Sequence, residues 1–281
     1  MTTKVKFSRH IDYFLKLRTL LGSQATVAFA LAHLRNKLRP PKKGLLARVP
    51  VGPHVFYFPS LDSFVGLFTE IFFKETYFIG PTDAPIEVID CGANIGVSLL
   101  YIKLRAPCAH VQCFEPNPAA RTVLEKNIQA NGWEKDVRVF PYALGASRGT
   151  ANLFVDDTEE TSSSGSIANH AGKKNRPQHS YQIEVDTLSR YIVSTVHLLK
   201  LDIEGPEFDV LEELRTGKKL SQVETIQLEY HYIPGSFTRP LSEMLALLES
   251  AGFRTFVKST SQPHQIINRD VAHAYMIFAW R

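Results

Sequence analysis

Apolar and polar positions along the chain fall into two regimes. Before about Ser60 they read as helix and hairpin; after Pro85, strand-length apolar runs alternate with helix-length amphipathic ones. Ile11 to Leu38 carries helix-spaced leucines (Leu15, Leu17, Leu20, Leu21), is interrupted at Gly22-Ser23 and is closed by Arg39-Pro40-Pro41. Val49, Val51, Val55 and Tyr57 alternate about Gly52-Pro53, which predicts a hairpin over Leu45 to Phe58. Ser60 or Asp62 can cap a following helix that bears Phe64, Leu67, Phe68 and Ile71. Phe72, Phe73, Tyr77 and Phe78 come next; such an aromatic stripe beside a helix is more often core than pocket wall.

From Pro85 the rhythm is strand, helix, strand, helix. Ile86 to Asp90, Ala109 to Phe114 and Val137 to Val139 read as strands, with helices over Ile95 to Leu104 and Pro118 to Ala130 between them. Tyr142-Ala143-Leu144-Gly145 ends that unit. The spacing predicts an α/β fold with a mainly parallel sheet covered on both faces. Ala151 to Val155 and Tyr181 to Val185 read as a strand pair joined by a polar insert over 156–180, a length typical of a functional lid or a disordered loop. Val196 to Leu201 is another buried strand, Pro206 opens a helix to Leu214, and Val223 to Glu229 is a further strand. Leu241 to Ser250 is a helix stopped at Gly252. Phe253 to Val257 and Ala272 to Trp280 close the chain as a strand pair turned at Asn268-Arg269-Asp270.

Composition narrows the class. A length of 281 residues suits one large domain with an accessory element. An excess of 32 Lys and Arg over 28 Asp and Glu permits an anionic ligand without demanding one. Cys91, Cys108 and Cys113 form no CxxC, which disfavours a disulfide scaffold or a cysteine zinc site and fits a reducing compartment. No leader-like or membrane-spanning stretch stands out, so the expected location is cytoplasmic. Lys173, Lys174 and Arg176 lack the aromatic interleaving of a nucleic-acid module.

The candidate chemistry starts at Val88 to Gly96, VIDCGANIG, an apolar run entering a Gly-containing turn before a helix. An acid, Glu115, ends the next apolar run. This is the layout of a nucleotide-type cofactor site at a strand's carboxyl end, and Asn94 in place of a glycine argues against a dinucleotide fingerprint and a nicotinamide oxidoreductase. Further signposts are Phe114-Glu115-Pro116-Asn117, Ala143-Leu144-Gly145, Val185-Asp186-Thr187-Leu188, and Lys200 to Glu207, KLDIEGPE. In this order they resemble the FkbM-type methyltransferases, a branch of the class I S-adenosylmethionine-dependent enzymes, over roughly Asp62 to Phe278. Pro206 departs from the Ala or Val usual before the second acid of that motif. The resemblance implies a Rossmann-like, mostly parallel seven-stranded sheet with an antiparallel final strand. Residues 1–59 would form a helical and hairpin extension, residues 60–281 the methyltransferase domain.

The resemblance implies S-adenosylmethionine as cofactor. Gly92, Asn94 and Gly96 form the turn around it, and glycines there allow close backbone approach. Asp90 would orient the ammonium of the methionine end, and turn amides the carboxylate. Glu115 has two oxygens for the two ribose hydroxyls; alternatively it is a helix cap. Asn117 assists nearby or caps the Pro118 helix, and Ala143 and Leu144 line the adenine slot by analogy.

Methyl transfer needs a positioned nucleophile and, for an alcohol, a proton acceptor. Asp202 and Glu204, after the fourth strand, can orient a hydroxyl, take its proton or hold a cation; each can instead cap the next helix. His231 is the best single general-base candidate, with Glu229 able to orient it or to join Asp202 at a divalent metal, whose presence the pattern leaves open. Glu207 reads as a helix-dipole partner. In the insert, Ser162, Ser163, Ser164, Ser166 and His170 could meet substrate. The expected activity is methyl transfer to a hydroxyl of a small molecule, sugar, glycan or polyketide-like product, with a homodimer through the N-terminal extension compatible. The rivals are an RNA or protein side-chain methyltransferase and a non-catalytic scaffold.

Overall fold

The computed structural model describes residues 15–40, 44–156, 178–232, 239–259 and 273–281. The polar insert's residues 157–177, with Ser162 to Ser166, His170, Lys173, Lys174 and Arg176, and the turn at 268–270 lie outside them.

Residues 15–21 are helical, and α1 (Ser23–Leu38) follows Gly22, whose φ of 80° interrupts the helix. β1 (Ala47–Val51) and β2 (His54–Phe58) form the predicted antiparallel hairpin. α2 (Leu61–Phe68) is capped by Ser60, whose hydroxyl accepts the Ser63 N–H. It continues into one π-helical turn, Thr69–Phe73, which nothing in the apolar spacing announces. On α1, Val27, Leu31, Leu34 and Leu38 are exposed, while Phe29 is buried.

The main sheet is built from β3 (Glu87–Cys91), β4 (His110–Phe114), β5 (Val137–Phe140), β9 (Leu198–Leu201), β10 (Thr225–Tyr232), β11 (Arg254–Ser259) and β12 (His273–Trp280), in the spatial order β11-β12-β10-β9-β3-β4-β5. β12 runs antiparallel to both neighbours; the other pairings are parallel. The fold is thus α/β with a mixed, mostly parallel sheet. Adjacent residues of one strand enter opposite cores: Val88 joins the cluster of Leu99 and Leu124, and Ile89 joins that of Val210 and Leu248. Burial on both faces is why these strands read as continuous apolar runs. The helices are α3 (Val97–Arg105), α4 (Pro118–Ala130), α5 (Glu207–Thr216) and α6 (Leu241–Ser250).

The hairpin shares the first of those cores, through Val51, Phe56 and Phe58. Side-chain amides of the α4 end complete its edge. Asn127 Oδ1 accepts the Tyr57 N–H at 2.7 Å while its Nδ2 donates to the Tyr57 carbonyl at 3.0 Å, and Asn131 does the same for Val55 at 2.9 and 2.8 Å. Two asparagines one helical turn apart thereby satisfy the strand backbone that a neighbouring strand would otherwise pair.

One segment differs from expectation. Ala143–Leu144 does not close the βαβ unit; as β6 it pairs in parallel with β8 (Gln178–Asp186), which pairs antiparallel with β7 (Gly149–Asp156) in a separate three-stranded sheet. Two residues carry too little periodicity to reveal a strand partner.

The carboxyl ends of β3 and β9 lie side by side, with chain order running outward from β3 to β4 and from β9 to β10. Such a reversal opens a crevice outside the strand ends.

Candidate active site

The turn leaving β3 is folded by its own hydrogen bonds. Gly92 and Ala93 donate to the Phe114 carbonyl at 2.9 and 3.1 Å, Ile95 to Asn94 Oδ1 at 2.7 Å, and Gly96 to the Ala93 carbonyl at 2.9 Å. Gly92, Asn94 and Gly96 all have positive φ. Asn94, at φ 50°, tolerates this because its short amide bonds locally. Asn94 N–H donates to Glu115 Oε2 at 2.8 Å, and Asn117 N–H donates to Oε1 at 2.8 Å. Each N–H from Gly92 to Gly96 therefore has an internal acceptor. The turn amides are spent on holding Glu115 and the turn itself, so they leave no free donor for the carboxylate expected there.

Glu115 is 7% exposed, and burial lifts its pKa to about 7 against the pull of the two amide bonds and Lys200. Glu115 and Asn117 line a cavity together with Asn94, Ala143 and Leu144. The cavity is partly open to solvent, and Tyr77, Phe114 and Tyr142 add aromatic walls to it. Asn117 also caps α4, accepting the Ala119 N–H at 3.0 Å. Gly96 is the left-handed N-cap of α3, where a Cβ would come within 2.7 Å of Leu124 Cδ1, so its position is set by helix packing.

Asp90 is fully buried behind the cavity wall. Its Oδ2 accepts the Ser98 hydroxyl at 2.5 Å, and its Oδ1 pairs with Lys200 Nζ at 2.9 Å. Lys200 Nζ also donates to the Gly92 carbonyl at 2.9 Å and lies 4.9 Å from the Tyr77 ring centroid. Burial alone would lower the Lys200 pKa; Asp90 and Asp202 more than offset it and raise the pKa. Ser98 and Lys200 line the cavity in front of Asp90.

On the β9 side, Asp202 and Glu204 line the same cavity. Asp202 Oδ2 accepts the Tyr77 hydroxyl at 2.8 Å. Glu204 holds a strained φ of 61° just before Gly205 at 138°. Beyond them, His231 Nδ1 lies 2.9 Å from Oε1 of the fully buried Glu207, and its Nε2 3.5 Å from Glu204 Oε2. Burial opposes the imidazolium, yet Glu207, Glu204 and Asp202 raise the His231 pKa well above its ordinary value. Burial, with Asp202, Glu70 and Glu204 nearby, pushes Glu229 up to about 8. Asp202, Glu229 and His231 each offer a ligand atom within 4.8 Å of the others'.

The fold thus brings Asp202, Glu204 and His231 together on one side and the Glu115 group on the other. Sequence reasoning overlooked Glu70 and favoured core over pocket wall for Tyr77; both line the cavity, from the π-helical turn and the segment after it. Glu207 stands in the first turn of α5, as expected of a helix-dipole partner, and its side chain also accepts from Gly205 N–H at 2.9 Å and contacts His231. The aromatic run Phe72 to Phe78 was the available signal for Tyr77; Glu70 carried none.

Residues 90–255 match the family model described as the methyltransferase FkbM domain. Two curated relatives are similar over two thirds of the chain. One is Methyltransferase 1 of Beauveria bassiana, 27% identical, with 67% of this chain and 80% of that protein covered. The other is Methyltransferase sdnD of Sordaria araneosa, 28% identical, with 66% and 81% covered. Among solved structures, the methyltransferase FkbM of Methylobacillus flagellatus KT is similar at a TM-score of 0.46 and 14% identity. That alignment covers 97% of this chain and 60% of that one.

Proposed function

This chain belongs to the methyltransferase FkbM family, S-adenosylmethionine-dependent methyltransferases, and from that premise we propose that its acceptor is a hydroxyl of a small molecule, sugar, glycan or polyketide-like product. The observation that carries this reading is the opposition of two acidic groups in one cavity. Glu115, held by two backbone amides, stands on the β3–β4 side, and Asp202 and Glu204, beside His231, stand on the β9 side.

When bound, S-adenosylmethionine supplies an electrophilic methyl group on a positive sulfur. Glu115 would use the lone pairs its amide donors leave free to accept both ribose hydroxyls. Ala143, Leu144 and Asn117 line the cavity and would hold the adenine. Gly92 and Asn94 shape the floor of the site. Glu70 and Lys200, which both line the cavity, would supply the charges that hold the ammonium and the carboxylate of the methionine end. Asp90 acts at one remove, by holding Lys200.

Asp202 and Glu204 would hold the acceptor hydroxyl and take its proton, with His231, whose raised pKa keeps its ring protonated in the absence of a metal, beside them. The acceptor oxygen forms its bond to the methyl carbon as the carbon–sulfur bond breaks. The electron pair stays on sulfur, and S-adenosylhomocysteine leaves. The reading sets the reaction in the cytoplasm: the three cysteines are free, and no described helix is long and apolar enough to cross a membrane.

The test is calorimetry with S-adenosylmethionine and S-adenosylhomocysteine on the full chain, followed by transfer of labelled methyl to a panel of hydroxylated small molecules and glycans. Alkali-stable label on an acceptor oxygen supports the reading. Label entering RNA or protein instead would replace it with a polymer acceptor, and failure of the folded chain to bind either compound would leave a scaffold role.

A further inference from the structure

We infer that Asp202, Glu229 and His231 form a binding site for one divalent cation at the β9–β10 rim of the cavity. Glu229 and His231 stand two residues apart on β10, so they project from the same face, while Asp202 follows the end of the neighbouring β9. Their ligand atoms all lie within 4.8 Å of one another. Around a six-coordinate cation with ligand bonds of about 2.1 Å, opposite ligands are about 4.2 Å apart, so small side-chain rotations close the set.

What surrounds the three residues matches what metal ligands need. A ligating imidazole usually gives its second nitrogen to a carboxylate, which fixes the ring and directs the other nitrogen at the ion. His231 Nδ1 has that partner in Glu207, buried completely and itself held by the Gly205 N–H. Oε2 of Glu207 has no hydrogen-bond partner among the described residues. Asp202 is oriented the same way: Tyr77 occupies Oδ2, leaving Oδ1 for a ligand bond. Among the described residues, no hydrogen bond or ion pair is formed by the half-buried Glu229 side chain.

The local charge balance asks for a cation. Glu70, Asp202, Glu204, Glu207 and Glu229 gather around His231 and Lys200, and Lys200 is already committed to Asp90 at 2.9 Å. Two carboxylates with one imidazole suit a borderline-hard ion of the Mn²⁺ or Mg²⁺ kind. Three protein ligands leave about three positions for water or for an acceptor oxygen. Asp202 is shared with the cavity, so an oxygen on the ion would face the methyl donor and lose its proton more readily, with Glu204 at hand to receive it. That role rests on the methyl-acceptor reading; the existence of the site does not.

The test is Mn²⁺ titration of chelator-stripped full chain, with free Mn²⁺ read from its solution paramagnetic resonance signal. Wild type should take up one ion per chain. Glu229→Gln, which keeps the side chain's shape but removes a direct ligand, should weaken uptake by at least about tenfold, the lower bound for losing even a ligand's supporting partner. Its S-adenosylhomocysteine affinity, measured in parallel, should stay unchanged and certify the fold. Glu249→Gln, at an exposed acid on α6, should behave as wild type. Absence of stoichiometric Mn²⁺ uptake, or equal uptake by Glu229→Gln, overturns the site. Mn²⁺ uptake without S-adenosylhomocysteine binding would keep the site and sink the proposed function instead.

Discussion

The backbone carbonyl of Asp202 occupies the place where a side chain at Gly92 would begin: a Cβ there would stand 1.9 Å from that oxygen. The turns after β3 and β9 are therefore in backbone contact, fastened also by Asp202 N–H to the Cys91 carbonyl at 3.1 Å and Lys200 Nζ to the Gly92 carbonyl at 2.9 Å. Gly92 additionally holds φ 81°. Gly92→Ala must push the two turns apart and adopt a left-handed backbone, for a combined loss of about 2–5 kcal/mol in stability. Cofactor affinity should fall at least tenfold. Thermal unfolding and S-adenosylhomocysteine calorimetry check both; a stable variant with wild-type affinity would mean that the turns can separate freely.

Glu115 couples this site to pH. Its pKa in the folded chain is about 7, above the ordinary 4.5, so the native state binds the proton more tightly than the unfolded state does. Stability from this group is present at low pH and is lost as pH rises from about 4.5 to about 7, an effect on the order of 3 kcal/mol. Glu115→Gln should remove that slope and be the more stable protein at about pH 8. Cofactor binding should move in the opposite sense, because the ionised carboxylate is the better acceptor for two hydroxyls. The wild-type advantage over Glu115→Gln in S-adenosylhomocysteine affinity should therefore grow by about tenfold between pH 6 and pH 8. A ratio independent of pH would remove Glu115 from the ribose.

The Asp90–Lys200 pair makes a different demand. Both side chains are almost wholly enclosed. Asp90→Asn leaves the lysine charge buried without its partner, which typically costs about 3–5 kcal/mol. In protein that remains folded, S-adenosylhomocysteine affinity should change less than it does in Glu115→Gln, because Asp90 acts through Lys200. Denaturant unfolding and calorimetry on the two variants separate the roles. A larger affinity loss in Asp90→Asn at near wild-type stability would assign Asp90 to the ligand directly.

Much of the fold was legible because its boundaries are written in local chemistry. Asn117-Pro118 starts α4 and Pro240 with Gly252 brackets α6, and both helices have their expected bounds. The parallel strands carry doubly buried apolar runs. Residue types at the site were legible too, since Glu115 and the β9 acids follow strand ends. Direction was not. Asp90 lies one residue before the strand end, and only the neighbouring β9 register reveals that Lys200 faces it. Tyr77 meets Asp202 across 125 positions of sequence, a distance that no local pattern spans. Glu70 falls in a π-helical turn, where helical spacing misassigns the face.

Glu207 is the remaining discriminator, because it touches His231 but does not line the cofactor cavity. Glu207→Gln keeps the volume and an oxygen for the Gly205 N–H while removing the charge behind Nδ1. Were Glu207 only a helix-end residue, its loss would lower stability and leave turnover per folded molecule alone. As a positioning residue it should lower kcat by about 10- to 100-fold. KM for S-adenosylmethionine should stay near wild type, since Glu115 and its two amide donors are untouched. Steady-state kinetics on protein whose folded fraction is set by unfolding curves decides between them. An unchanged kcat would detach His231 from the reaction and leave Asp202 and Glu204 as the groups that handle the acceptor's proton.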